Sequence, residues 1–69
     1  MYRVNTRKLS GKIVEKGTTK EAIADEIGID KSTFYRRLRN NKLLITDVHK
    51  ICEILELSIS EMADIFLAE

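Results

Sequence analysis

Twenty consecutive residues, TKEAIADEIGIDKSTFYRRL from Thr19 to Leu38, constrain this chain most, because their apolar spacing and single glycine fit two short helices and a tight turn. Ile23 and Ile27 stand four apart on one helical face, and Ala24 beside them is small enough to let a second helix cross closely. Thr19 can cap the first helix, while Thr18 with Glu21 offers a competing capping box one residue earlier. Gly28 ends that helix, since the position after a helix commonly needs a left-handed backbone. Asp30 caps the next helix, and its charge suits the positive end of the helix dipole. At about 100° per residue, Phe34 and Leu38 turn inward. Ser32, Arg36 and Arg39 turn outward, flanked by Thr33, and Lys31 occupies the first turn.

The rest of the chain continues in the same helical idiom. Proline is absent, glycine occurs three times, and no alternating run is long enough to compete as a strand. A first helix is expected from about Thr6 to Lys16, with Asn5 as its cap, Leu9 and Ile13 inward, and Gly17 at its end. The helix carrying Phe34 is followed by the connection NNKLLI. A fourth helix is expected after Thr46, burying Val48, Ile51, Cys52 and Leu55 at helical spacing. Leu57 and Ser58 open a link to a fifth helix, where Ser58 and Glu61 fit a capping box. The expectation is an all-α, compact five-helix fold, one domain over residues 1–69.

Charge sharpens this reading once it is divided along the chain. Residues 1–42 hold eleven Lys and Arg against five acids, a net of +6, whereas residues 43–69 hold one Lys against six acids, a net of −5. Such polarity suits a molecule with one face on phosphates. The plainer alternative is a set of ordinary solvated helix faces, and Lys8, Lys12 and Lys16 fit it as decoration of the first helix.

Other function classes find little support. His49 and Cys52 are three apart, yet a zinc site needs four ligands and no second pair exists, so no metal is expected. One His, one Cys and scattered carboxylates form no triad, and the three glycines, Gly11, Gly17 and Gly28, stand singly and far apart, so neither catalysis nor a phosphate loop is indicated. No cofactor or small-molecule ligand is expected. No apolar run, Leu43 to Ile45 and Ile65 to Ala68 included, approaches the length of a membrane span; MYRVNTRK lacks a signal-peptide core and a lone cysteine fits a reducing compartment, so a cytoplasmic protein is expected.

The segment resembles the helix-turn-helix of the lambda-repressor-like family, which includes the small Cro-type repressors. Lys20, Ala24 and Gly28 meet the family's spacing of polar residue, alanine and glycine; Phe34 meets its apolar anchor; and TDVHKICEILELSISEM resembles its fourth helix, link and fifth helix. The chain departs in three places. Lys20 stands where Gln is frequent, Arg37 where an apolar residue is frequent, and Asn40 with Asn41 where Gly usually follows the recognition helix. The resemblance implies a sequence-specific transcriptional regulator of double-stranded DNA, similar to a phage or prophage repressor on a palindromic operator, with helix 3 in the major groove and the start of helix 2 on the backbone. Lys31, Ser32 and Arg36 are then the candidates for base edges, with Thr33 on a base methyl or a phosphate. Lys20, Tyr35, Arg39, Asn40, Asn41 and Lys42 are the candidates for phosphates. Tyr35 projects sideways, so a partly buried aromatic packed on helix 2 is its competing reading. Arg37 is expected to pair with Asp25 or Glu26.

A single reading helix contacts too few bases to find an operator, so a homodimer on two half-sites is expected. The fifth helix spreads apolar residues over an arc of roughly 200°, about twice a usual buried stripe. Ile65 and Leu67 are its candidates for the dimer interface, against a reading in which a groove hides both flanks or the last residues fray. Two alternatives belong to other classes: an antitoxin that regulates its own promoter, and a protein-interaction module that keeps the fold. A complete chain would be controlled by concentration or competition for operators, and a fragment by what lies beyond it.

Overall fold

The computed structural model describes residues 3–68; Met1 and Tyr2 of the N-terminal segment, and Glu69 among the acids of the second half, lie outside the described residues. The fold is all-α, with α1 (Thr6–Glu15), α2 (Lys20–Ile27), α3 (Lys31–Arg39), α4 (Ile45–Leu55) and α5 (Ile59–Phe66). No helix among the described residues is long and apolar enough to cross a membrane.

Each helix starts where a side chain satisfies an orphan backbone N–H. Asn5 Oδ1 accepts from Lys8 N at 3.1 Å, Thr19 Oγ1 from Ala22 N at 3.1 Å, and Asp30 Oδ2 from Ser32 N at 3.1 Å. Thr19 therefore wins over Thr18, which leaves the Glu21 carboxylate available for another partner. Ser58 and Glu61 form the expected reciprocal box, at 3.1 and 2.9 Å. Helix α4 departs from expectation. It begins at Ile45, two residues early, because Asp47 Oδ2 reaches back to Leu44 N at 3.1 Å and a leucine can stand at the cap once that donor is satisfied. The turns close with left-handed backbones at Gly17 (φ +73°) and Gly28 (φ +91°), and also at the non-glycine residues Asn41 (φ +56°) and Glu56 (φ +52°).

All five helices contribute to one apolar cluster: Leu9 and Ile13, Ile23, Ala24 and Ile27, Phe34 and Leu38, Ile51 and Leu55, and Ile65 and Phe66. Helix α2 packs on α3 and α4, and α1 packs on α5. Lys50 Nζ donates to the carbonyl of Ile27 at 3.4 Å, covering the end of α2 from α4. The first and last described segments meet: Arg3 and Ala68 pair as an antiparallel bridge, and Asn5 N donates to the carbonyl of Ile65 at 2.6 Å.

That closure corrects the reading of α5. Ile65 is only 3% exposed and belongs to the core, so it cannot line an interface between copies. The packing of α5 on α1 turns it inward, whereas Ile59 is 84% exposed and Leu67 45%. Val48 and Cys52, expected to be buried, are half-buried. They line a groove of about 550 Å³ between α4 and α5, together with Ile45, Ile59, Met62 and Leu67.

Candidate nucleic-acid interface

Helices α2 and α3 meet across the turn Gly28–Ile29–Asp30, with Ile23, Ala24 and Ile27 of one and Phe34 and Leu38 of the other in the common core. Burying Phe34 and Leu38 forces the remaining faces of α3 outward. Lys31, Ser32, Arg36 and Arg39 are exposed and Thr33 is half-buried, so the four candidates for base edges, Lys31, Ser32, Thr33 and Arg36, lie on or beside one accessible surface. Among the described residues, Arg36, Arg39 and Lys42 have no acidic partner within ion-pair distance. Three arginines crowd the last turn of α3, where the carbonyl end of the helix favours cations.

The flanks of α3 are tied by polar contacts. On one side Arg37 Nη1 meets Asp47 Oδ2 at 3.0 Å, with the side chains 27% and 6% exposed. The expected pairing of Arg37 with Asp25 or Glu26 is therefore corrected: the residue faces α4, and its carboxylate is the same one that caps Leu44. On the other side the Tyr35 hydroxyl donates to Glu21 Oε2 at 2.6 Å. That bond holds the Glu21 carboxyl below its ordinary range, with its own backbone N–H as the next cause. The same bond raises the Tyr35 phenol.

Two candidates for phosphate contact are thus engaged elsewhere. The Tyr35 hydroxyl proton is committed to Glu21, which removes it as a donor to phosphate and favours the packed reading of this aromatic. Lys20 Nζ lies 6.0 Å from the Tyr35 ring centroid, beside the pair. Asn41 takes the left-handed position after α3, and its Oδ1 accepts from Val4 N at 3.0 Å, so it fastens the N-terminal segment to the turn. Asn40 and Lys42 remain exposed on either side of it. The structure brings Lys31, Ser32, Arg36 and Arg39 together on α3, sets Asn40 and Lys42 at its end, and places Lys20 at the start of α2.

Sequence reasoning missed Glu21 and Asp47. A faint signal existed for each: an acid in the first turn of a helix whose capping role was contested or unrecognised.

Outside this face, chemistry is sparse. His49 Nδ1 pairs with Glu53 Oε1 at 2.8 Å, and burial raises the Cys52 thiol. No group of three or more potential ligands among the described residues could hold a metal ion. Lys12 pairs with Glu61 and with Glu15, which raises the ammonium; Lys12 first, then the Ser58 backbone, lowers the Glu61 carboxyl to about 2.

A family model described as the Cro/C1-type HTH DNA-binding domain matches residues 8–66. No curated protein and no solved structure matches the chain.

Proposed function

The chain belongs to the Cro/C1-type helix-turn-helix DNA-binding family, and from that premise we propose that it is a sequence-specific repressor, of the phage or prophage kind, acting as one domain over residues 1–69. DNA binding and transcriptional regulation follow from the family. The particular reading of DNA is carried by one observation: an exposed α3 face on which Lys31, Ser32 and Arg36 stand clear of the core and Arg36 lacks an acidic partner among the described residues.

Helix α3 lies in the major groove, which is about 12 Å wide and admits a helix with its side chains. Arg36 and Lys31 offer donors that suit the paired acceptors of guanine, Ser32 pairs with either kind of base edge, and Thr33 meets a base methyl or a phosphate. Lys20, Arg39, Asn40 and Lys42 hold phosphates and set the register. Two copies on half-sites about 34 Å apart supply the specificity that one helix lacks. The exposed Ile45, Ile59 and Leu67 around the α4–α5 groove support pairing of copies at that face. Repression is steric, since bound protein occupies promoter DNA.

Selection of bound duplexes from a random pool, followed by footprinting, tests the proposal. A palindromic consensus with half-sites one helical turn apart is the expected result; recovery of unrelated sequences at equal affinity counts against sequence-specific repression.

A further inference from the structure

Burial of Phe34 and Leu38 decides which face of α3 turns outward, but an apolar contact carries little angular preference of its own, so packing leaves the helix a small range of rotation. Within that range, polar ties on its two flanks can trim the rotation. Measured from Phe34, Tyr35 projects roughly 100° to one side and Arg37 roughly 60° to the other. Arg37 is bound to Asp47 of α4 and Tyr35 to Glu21 of α2, so the outward face with Ser32 and Arg36 lies between two anchored flanks. The Glu21 anchor differs from the other in charge and place. It is an exposed acid next in sequence to Lys20, in the first turn of α2, where a phosphate-facing surface gains from positive charge.

We propose that Glu21 is a positioning residue for sequence recognition: its bond to Tyr35 trims the rotation that core packing leaves to α3, while its negative charge beside Lys20 weakens the hold on DNA of every sequence. This rests on the DNA-reading function proposed above and deepens it, assigning part of the specificity to an acid that touches no base. Base contacts need placement within about 0.5 Å, so a helix free to rock loses them while its phosphate contacts adapt. Repulsion by a carboxylate acts on phosphates, which are alike in operator and random DNA, and so lowers both affinities without altering their ratio.

Substitutions separate the two roles. In Glu21→Gln the amide oxygen still accepts from the Tyr35 hydroxyl and the charge is gone; Glu21→Ala removes both; Tyr35→Phe removes only the bond. Affinities are measured for the pool-selected duplex and a scrambled one at several salt concentrations. Glu21→Gln is expected to tighten both duplexes and keep the wild-type ratio. Glu21→Ala is expected to tighten the scrambled duplex as much, yet lower the ratio about fivefold, the size expected when one solvent-exposed hydrogen bond is lost. Tyr35→Phe lowers the ratio similarly without the gain on scrambled DNA, and the double variant Glu21→Ala/Tyr35→Phe falls no further than Glu21→Ala. Hydrogen exchange of the free protein gives a readout without DNA: the intrahelically bonded amides of α3, from Tyr35 onward, exchange faster in Glu21→Ala and Tyr35→Phe and at the wild-type rate in Glu21→Gln. The proposal is overturned by one shared ratio for Glu21→Gln and Glu21→Ala, by a Tyr35→Phe loss equal on both duplexes, or by unchanged exchange. A wild-type protein without preference for any duplex defeats the function proposed above instead, and the exchange experiment then decides the anchor alone.

Discussion

Replacing Asp47 by Ala should cost this protein more stability than any other single change of a polar side chain. Asp47 Oδ2 accepts from Arg37 Nη1 at 3.0 Å and from Leu44 N at 3.1 Å, and the carboxylate is 6% exposed. The contact to Leu44 N is a helix cap, for which truncation costs about 1 kcal/mol. The contact to Arg37 is charge-assisted and worth about 1.5–3 kcal/mol, with the lower half applying because Arg37 keeps some access to water. The sum, about 2.5–3 kcal/mol, is a large share of the roughly 3–10 kcal/mol available to a chain of this length. Urea denaturation at neutral pH measures it, with Arg37→Ala and the double variant completing a cycle. The cycle should give a coupling of about 1–2 kcal/mol, and Arg37→Ala alone should be costly because it leaves a buried carboxylate short of a partner. Asp47→Asn, which can still accept from Leu44 N, should lie between wild type and Asp47→Ala. A coupling below about 0.3 kcal/mol, or a larger coupling of Arg37 to Asp25 or Glu26, would refute this account of how α3 is fastened to α4.

Three further outcomes follow from other parts of the molecule. Glu56 holds a left-handed backbone at the end of α4, so Glu56→Gly should stabilise by about 0.5–1 kcal/mol and raise Tm by a few degrees; an unchanged or lower Tm would mean that the side chain contributes more than its backbone costs. The Glu61 carboxyl is lowered from its ordinary 4.5 to about 2, so its stabilising contribution is complete above pH 4.5 and fades as the pH falls toward 2. Thermal melts should therefore show Glu61→Gln below wild type at neutral pH with the gap closing across that window, and a constant gap would contradict the sign. Leu67→Asp, alone or with Ile59→Asp, should shift light-scattering mass toward the monomer and weaken operator binding while leaving the helical spectrum intact; a wild-type monomer at high micromolar concentration would remove the proposed pairing at this face.

The local chemistry of the helices was largely legible in the sequence. Asn5, Thr19, Asp30 and Ser58 cap where short-range rules place them, and Gly17 and Gly28 supply the left-handed turns, because these effects involve residues within four positions of one another. The start of α4 was misread because Thr46 resembles a cap and the acid that does the capping, Asp47, lies inside the helix. What crosses between helices was harder to see. Periodicity gives the angle between Ile65 and Leu67 but not the absolute direction of either, which the packing of α5 on α1 decides. Likewise the sideways projection of Arg37 and Tyr35 could be derived, whereas their partners Asp47 and Glu21 depend on how α3 crosses α4 and α2.

The central claim, that the outward face of α3 reads base sequence, is tested most directly by the affinity of Arg36→Ala for a pool-selected duplex and for a scrambled duplex, with Lys42→Ala measured beside it. Arg36→Ala should lose about 1–3 kcal/mol on the selected duplex and far less on the scrambled one, as expected for a base contact. Lys42→Ala should weaken both alike and reduce the salt slope by about 0.9, as expected for one phosphate contact. Equal losses on both duplexes for both variants, or no salt-dependent binding of the wild-type protein to any duplex, would contradict it.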